Sequence, residues 1–210
     1  MTTHLFLERT FDEPLTIDDV IAGGRELKWC LDVRDCQWNG SFLARDGRTM
    51  ICTFSAPDAE SIRVALRDPD MDLSRFWPGT VYRGPNEIAP TVVVERSFEE
   101  PVAFESIKAL SKAAAWCLDT YKVKYSHSVH SLDQKRMLCF YAAPDAEAVR
   151  SVQREARAPV SAIWAGSFVA PAVARPRNST SASTVSPTTG AHRAPRTRPP
   201  AGTKLEGEPQ

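Results

Sequence analysis

The chain lacks any long hydrophobic run, and none of its apolar stretches approaches the roughly 18 residues that a membrane-spanning helix needs. Its start, MTTHLFLERTF, has neither a basic segment nor an apolar h-region, so no secretory signal is read there and a cytoplasmic location is expected. Cysteine is sparse and unpaired in pattern. Cys30, Cys36, Cys52, Cys117 and Cys139 are odd in number and contain no C-x-x-C, which excludes a disulfide framework and a zinc ribbon. A phosphate-cradling glycine loop, a Ser/His/Asp arrangement and a zincin motif are all missing, so the sequence does not advertise catalysis.

Net charge is also missing, but only as a sum. Residues 171–210 hold six Lys/Arg against Glu206 and Glu208, which leaves 20 basic and 24 acidic residues in positions 1–170. A mildly acidic body argues against nucleic-acid binding and is compatible with a cation. The last forty residues also contain seven of the sixteen prolines, a Ser/Thr run and no aromatic, a composition expected to form a disordered tail over 170–210.

What the chain does have is repetition. One ungapped offset of 87 places ERTFDEP (Glu8–Pro14) on ERSFEEP (Glu95–Pro101), WCLD on WCLD (Trp29 and Trp116), Cys52 on Cys139, APDAE on APDAE and Trp77 on Trp164. The spacing predicts two copies, at 1–82 and 91–169, joined by a linker at 83–90. Each copy reads as a short apolar strand (Leu5-Phe6-Leu7 or Val92-Val93-Val94) and a helix near 17–33 or 104–120, entered in the first copy by a Thr16/Asp19 capping box. A hairpin follows, turned at Asp46-Gly47 or Asp133-Gln134, then a helix opened by APDAE and a last strand around Trp77 or Trp164. The order strand, helix, strand, strand, helix, strand is the split βαβ pattern. The expected fold is therefore α+β: two tandem ferredoxin-like domains packed by their sheets into an intramolecular pseudo-dimer of the dimeric α/β-barrel kind.

Candidate chemistry gathers where the copies disagree. His127, His130, Asp133 and Cys139 supply imidazole, carboxylate and thiolate, donors suited to nickel, zinc or copper, and copy one has Gly40 and Leu43 in place of the histidines. Residues three apart on a strand face opposite ways, so the two histidines share an ion only if a bulge or turn begins between them. Glu8 and Glu95 on the first strands are either salt-bridged or lining a cavity between the halves, with Cys52, Cys139 and Tyr125 as further wall residues. The paired acids of APDAE suit a helix start and need no chemistry.

The repeated E-R-[ST]-F, W-C-L-D, M-x-C-x-[FY] and A-P-D-A-E-x-[IV]-R together resemble the nickel-binding, ferredoxin-like family catalogued as domain-of-unknown-function family 4242. The resemblance spans about 4–82 and 91–169. It implies a domain that pairs through its sheet and a role in nickel binding, sequestration or response instead of catalysis, with Ni²⁺ or a related divalent metal as the bound species. It supplies no ligand motif to transfer. Partners expected on these grounds are a metal ion or a small molecule and no membrane, with nucleic acid argued against by charge; further self-association stays open. The alternatives are an enzyme or small-molecule binder using the cavity between the sheets, and an interaction module with a basic tail.

Overall fold

The computed structural model describes residues 2–67, 72–85, 88–113 and 115–171. The expected tail lies, from residue 172 on, outside the described residues, as does the Asp68-Pro69-Asp70 stop of the first copy's second helix. Thirteen elements are present among the described residues: β1 (Thr3–Thr10), α1 (Ile17–Asp32), β2 (Gln37–Ala44), β3 (Thr49–Ala56), α2 (Ala59–Ala65), β4 (Phe76–Arg83), β5 (Val92–Ser97), α3 (Phe104–Ala113), α4 (Ala115–Thr120), β6 (Lys124–Ser131), β7 (Arg136–Ala142), α5 (Ala146–Glu155) and β8 (Ala162–Val169).

Local chemistry explains the helix starts. The Thr16 hydroxyl accepts from the Asp19 amide while the Asp19 carboxylate accepts from the Thr16 amide, a complete capping box. In APDAE the aspartate is the cap itself, not a first-turn acid: Asp58 accepts from the Ser61 amide and Asp145 from the Ala148 amide. Proline thus precedes the cap instead of occupying the first helical position.

The sheet corrects the expected fold class. The eight strands close into one antiparallel barrel in the order β1-β3-β2-β8-β5-β7-β6-β4, in place of two ferredoxin-like domains that keep their own sheets. β2 pairs with β8 from Ser41↔Val169 to Ala44↔Gly166, and β4 pairs with β6 from Gly79↔Ser131 to Arg83↔His127. The physical reason is the edge: a four-stranded sheet leaves unpaired N–H and C=O rows on its outer strands, and strand twist lets two such sheets satisfy them by closing on each other.

Alternation then sorts side chains to two sides of the ring. Phe6, Phe42, Ile51, Trp77, Val93, Val129, Leu138 and Phe140 fill the lumen. Leu5, Leu7, Met50, Cys52 and Phe54 lie outside the ring with Val20, Leu31 and Ile62 of α1 and α2, and Val92, Val94, Met137, Cys139 and Tyr141 lie outside it with Ile107, Cys117, Val149 and Val152 of α3 to α5. Cys52 and Cys139 are therefore helix-side core residues. Among the described residues no helix is long and apolar enough to cross a membrane.

Candidate functional site

Glu8 and Glu95 follow Phe6 and Val93 on the lumen side, and each accepts from the indole N–H of its own half. Trp77 Nε1 lies 2.7 Å from Glu8 Oε1, and Trp164 Nε1 lies 2.6 Å from Glu95 Oε1. Arg75 joins the two: it pairs closely with Glu8 and stands 3.9 Å from Glu95, while Arg136 reaches Glu8 at 3.6 Å. Two carboxylates and two guanidiniums thus meet at one end of the lumen. With lone pairs taken by indoles and arginines, this group is built to hold the halves together.

The opposite end of the lumen carries the open chemistry. There the strand ends place His4, Asn39, Ser55, Arg83 and His127 around a cavity of about 240 Å³ floored by Phe6, Phe42, Phe140 and Phe168. Asn39 Nδ2 donates to Ser55 Oγ at 2.7 Å, and Ser55 Oγ lies 3.4 Å from His4 Nδ1. The His127 ring stacks on Phe140 with centroids 4.4 Å apart. Burial, reinforced by the nearby Arg83 charge, pushes the His127 pKa down to about 4, so its imidazole is neutral at pH 7.

Hydrogen bonding assigns the tautomer. Ser126 gives its single hydroxyl proton to the Ile88 carbonyl at 2.7 Å and so can only accept from His127 Nδ1, 3.0 Å away. The proton sits on Nδ1, leaving the Nε2 lone pair for a ligand. This arrangement, with one ring nitrogen anchored and the other free, is the one that metal-binding histidines use.

The sequence-predicted metal group does not assemble. His127 is paired with Phe140 and His130 with Met137, so they face the lumen and the helix layer respectively. A bulge exists, but it lies between Tyr125 and His127, ahead of both histidines, and leaves them on opposite faces. His130 is 4% exposed with its Nε2 unpartnered, and burial holds its pKa below the usual value. Asp133 is engaged in its turn, accepting from Ser131 Oγ at 2.5 Å and from the Lys135 amide at 3.0 Å. Cys139 lies opposite Ser128 on the helix side. Among the described residues no three or more His, Cys, Asp or Glu side chains are grouped to hold a metal ion.

Of the expected cavity residues, Glu8 and Glu95 share the lumen, whereas Cys52 and Tyr125 face the helices. Ser41 Oγ lies 3.0 Å from Cys52 Sγ, and burial pushes that thiol to about 11. The Tyr125 hydroxyl lies 3.0 Å from the Tyr82 carbonyl and is pushed by burial to about 12. Four polar residues of the lumen mouth were not among the sequence candidates: His4, Asn39, Ser55 and Arg83. The period-2 spacing of His4, Phe6 and Glu8 carried the signal for His4; nothing local marked Arg83, since its place depends on the β4–β6 seam.

Residues 93–165 match the model of the family described as nickel responsive protein, SCO4226-like. The matched stretch lies in the second half of the ring and contains His127. The first half, which shares the repeated motifs, is outside it. No curated protein matches the sequence. Similar solved structures include a candidate chlorite dismutase, 12% identical over 80% of this chain and 95% of that one with a TM-score of 0.48. Another is a heme-binding protein from Thermus thermophilus, 11% identical over 80% of this chain and 92% of that one with a TM-score of 0.43.

Proposed function

We propose that this protein binds a divalent transition metal, nickel first among the candidates, at the open mouth of the barrel, and that it does so as a binding protein and not as a catalyst. One observation carries the reading: His127 is neutral, its Nδ1 is fixed by Ser126 and its Nε2 is left available inside a cavity shared with His4. The nickel-responsive description of the family matched over 93–165 supports the choice of metal. The donor set fits a borderline cation: two imidazoles, the Asn39 amide and the Ser55 hydroxyl are N and O donors of the kind such ions accept. Fewer than four strong protein donors leave coordination positions for exchangeable ligands, which suits sensing or buffering better than permanent storage.

A second reading has its own observation. Arg83 lines the same mouth, above an aromatic floor and with no carboxylate among the described lining residues, so a small organic anion with a flat apolar body also suits the cavity.

Calorimetric titration of the full chain with Ni²⁺ separates the two. Saturable binding that weakens roughly tenfold or more in both His127→Ala and His4→Ala, and is untouched by His130→Ala or Cys139→Ala, is the expected result. Absence of binding, or binding indifferent to His127→Ala, refutes the metal reading. The organic anion then becomes the ligand to pursue, with Arg83→Ala as its diagnostic variant.

A further inference from the structure

The second half contains a cavity whose counterpart in the first half differs in kind: the pocket at the matching positions, about 610 Å³, is lined by Gly24, Leu31 and Trp38 and mixes Arg25 and Lys28 with Asp32 and Asp35. Between the outer face of the sheet and the helices α3, α4 and α5 lies a space of about 900 Å³, walled by Phe104, Ile107, Leu118, Tyr125, Tyr141 and Val152. The three charged residues among its described lining, Arg83, Lys108 and Lys112, are all cationic, Arg83 being shared with the lumen mouth. Lys108 and Lys112 are exposed, one turn apart on α3, so their ammonium groups stand at the rim while the interior is apolar.

The residues that wall the space differ between the halves. In the first half the Trp38 ring packs against Gly24 so closely that a Cβ built on that glycine would collide with it, and the Trp38 indole donates to Ser41 Oγ at 3.0 Å. The positions 87 residues on are Tyr125, Ser111 and Ser128. The Tyr125 hydroxyl keeps the equivalent contact to Ser128 Oγ at 3.1 Å, with a smaller ring beneath the helix. Of α3's ten residues only Ile107 is buried.

We infer that this cavity is a binding site for a single-chain amphiphile with an anionic head, a long-chain carboxylate, whose tail lies between α3/α4 and the sheet and whose carboxylate meets Lys108 and Lys112. The volume is in the range of pockets that enclose small ligands, and the division into apolar walls and cationic rim matches the two ends of such a molecule. The site is separate from the metal reading of the lumen mouth and does not depend on it.

The test is fluorescence titration of the full chain with cis-parinarate, a polyene carboxylate that brightens in apolar surroundings. Saturable binding is expected, displaced by palmitate and roughly tenfold less well by hexadecanol, which lacks the charge. Ser111→Trp, which refills the space, abolishes binding. Lys108→Glu/Lys112→Glu, confined to exposed side chains and checked for an unchanged melting curve, weakens it by roughly tenfold or more. No saturable binding to the folded chain overturns the inference. So does binding that both variants leave intact, or association with anionic phospholipid vesicles in the absence of any binding to the free carboxylate.

Discussion

Glu8 and Glu95 stand at matching points of the repeat, and each accepts from the indole of its own half, yet only Glu8 has two arginines within ion-pair reach. Arg75 comes from the first half and Arg136 from the second, where their counterparts are Ala162 and Thr49. The same division runs through the molecule. What the halves share is skeleton: the Trp–Glu bonds, the aspartate caps of α2 and α5, and the Ser41/Cys52 and Ser128/Cys139 neighbours. What they do not share is ligand chemistry: His127 faces Gly40 in the alignment, and Tyr125 with Ser111 replaces Trp38 with Gly24. The two halves have their braces in common and differ in the residues proposed for binding.

Four experiments press on that contrast. Glu8→Ala strips a 7%-exposed carboxylate from two arginines and an indole and is expected to destabilise by about 4 kcal/mol in denaturant unfolding, whereas Glu95→Ala, with one distant arginine, costs about half that. Equal costs would mean that the asymmetric arginines contribute nothing.

The next effect is on pH. The folded His127 pKa, about 4, lies below its unfolded value near 6.5, so on acidification the unfolded chain takes the proton first. Stability is full above about pH 6.5 and falls towards pH 4, by about 3 kcal/mol in all, flattening below. His127→Gln removes that slope, and an unchanged profile would show that the imidazole is not desolvated as the fold implies.

Arg96 is 2% exposed, donates to Gln153 Oε1 at 2.6 Å and to the Pro159 carbonyl, while its counterpart Arg9 lies over the Phe11 ring, partly exposed. Arg96→Ala should cost about 2 kcal/mol and Arg9→Ala well under about 1, read as the shift between their urea midpoints. The smallest difference concerns helix entry. Thr16→Ala removes the capping box of α1 for about 1 kcal/mol, and Ala103→Thr at the matching position before α3 tests whether the second half gains from a cap it lacks. A neutral Thr16→Ala in thermal melts would show that α1 is held by packing alone.

The repeat made much of this legible in advance. Strands at Leu5–Leu7 and Val92–Val94, the α1 capping box and the hairpin turns follow from local composition and period. Closure of the ring did not: the β2–β8 and β4–β6 seams repeat each other at the 87-residue offset, Ser41↔Val169 matching Ser128↔Tyr82, but no local composition marks which edges pair, and twist and the need to pair edge groups choose them. The metal group failed for a similarly small reason. Three-residue spacing predicted opposite faces for His127 and His130 unless the strand bulged between them, and the bulge fell one step too early. Glu8 and Glu95 were expected to be either paired or cavity-lining, and the sequence could not supply Arg75 as their link, since its position is set by the turn into β4.

Closure also changes the statistics of assembly. Two half-rings made as separate chains would find each other at a rate set by their concentration and would part on dilution; here both seams form within one molecule, at an effective concentration fixed by the tether and independent of how much protein is present. Every strand of the ring already has two neighbours, so a passing β-strand finds no row of free amides to extend. Adding one would first require the β2–β8 or β4–β6 seam to be opened.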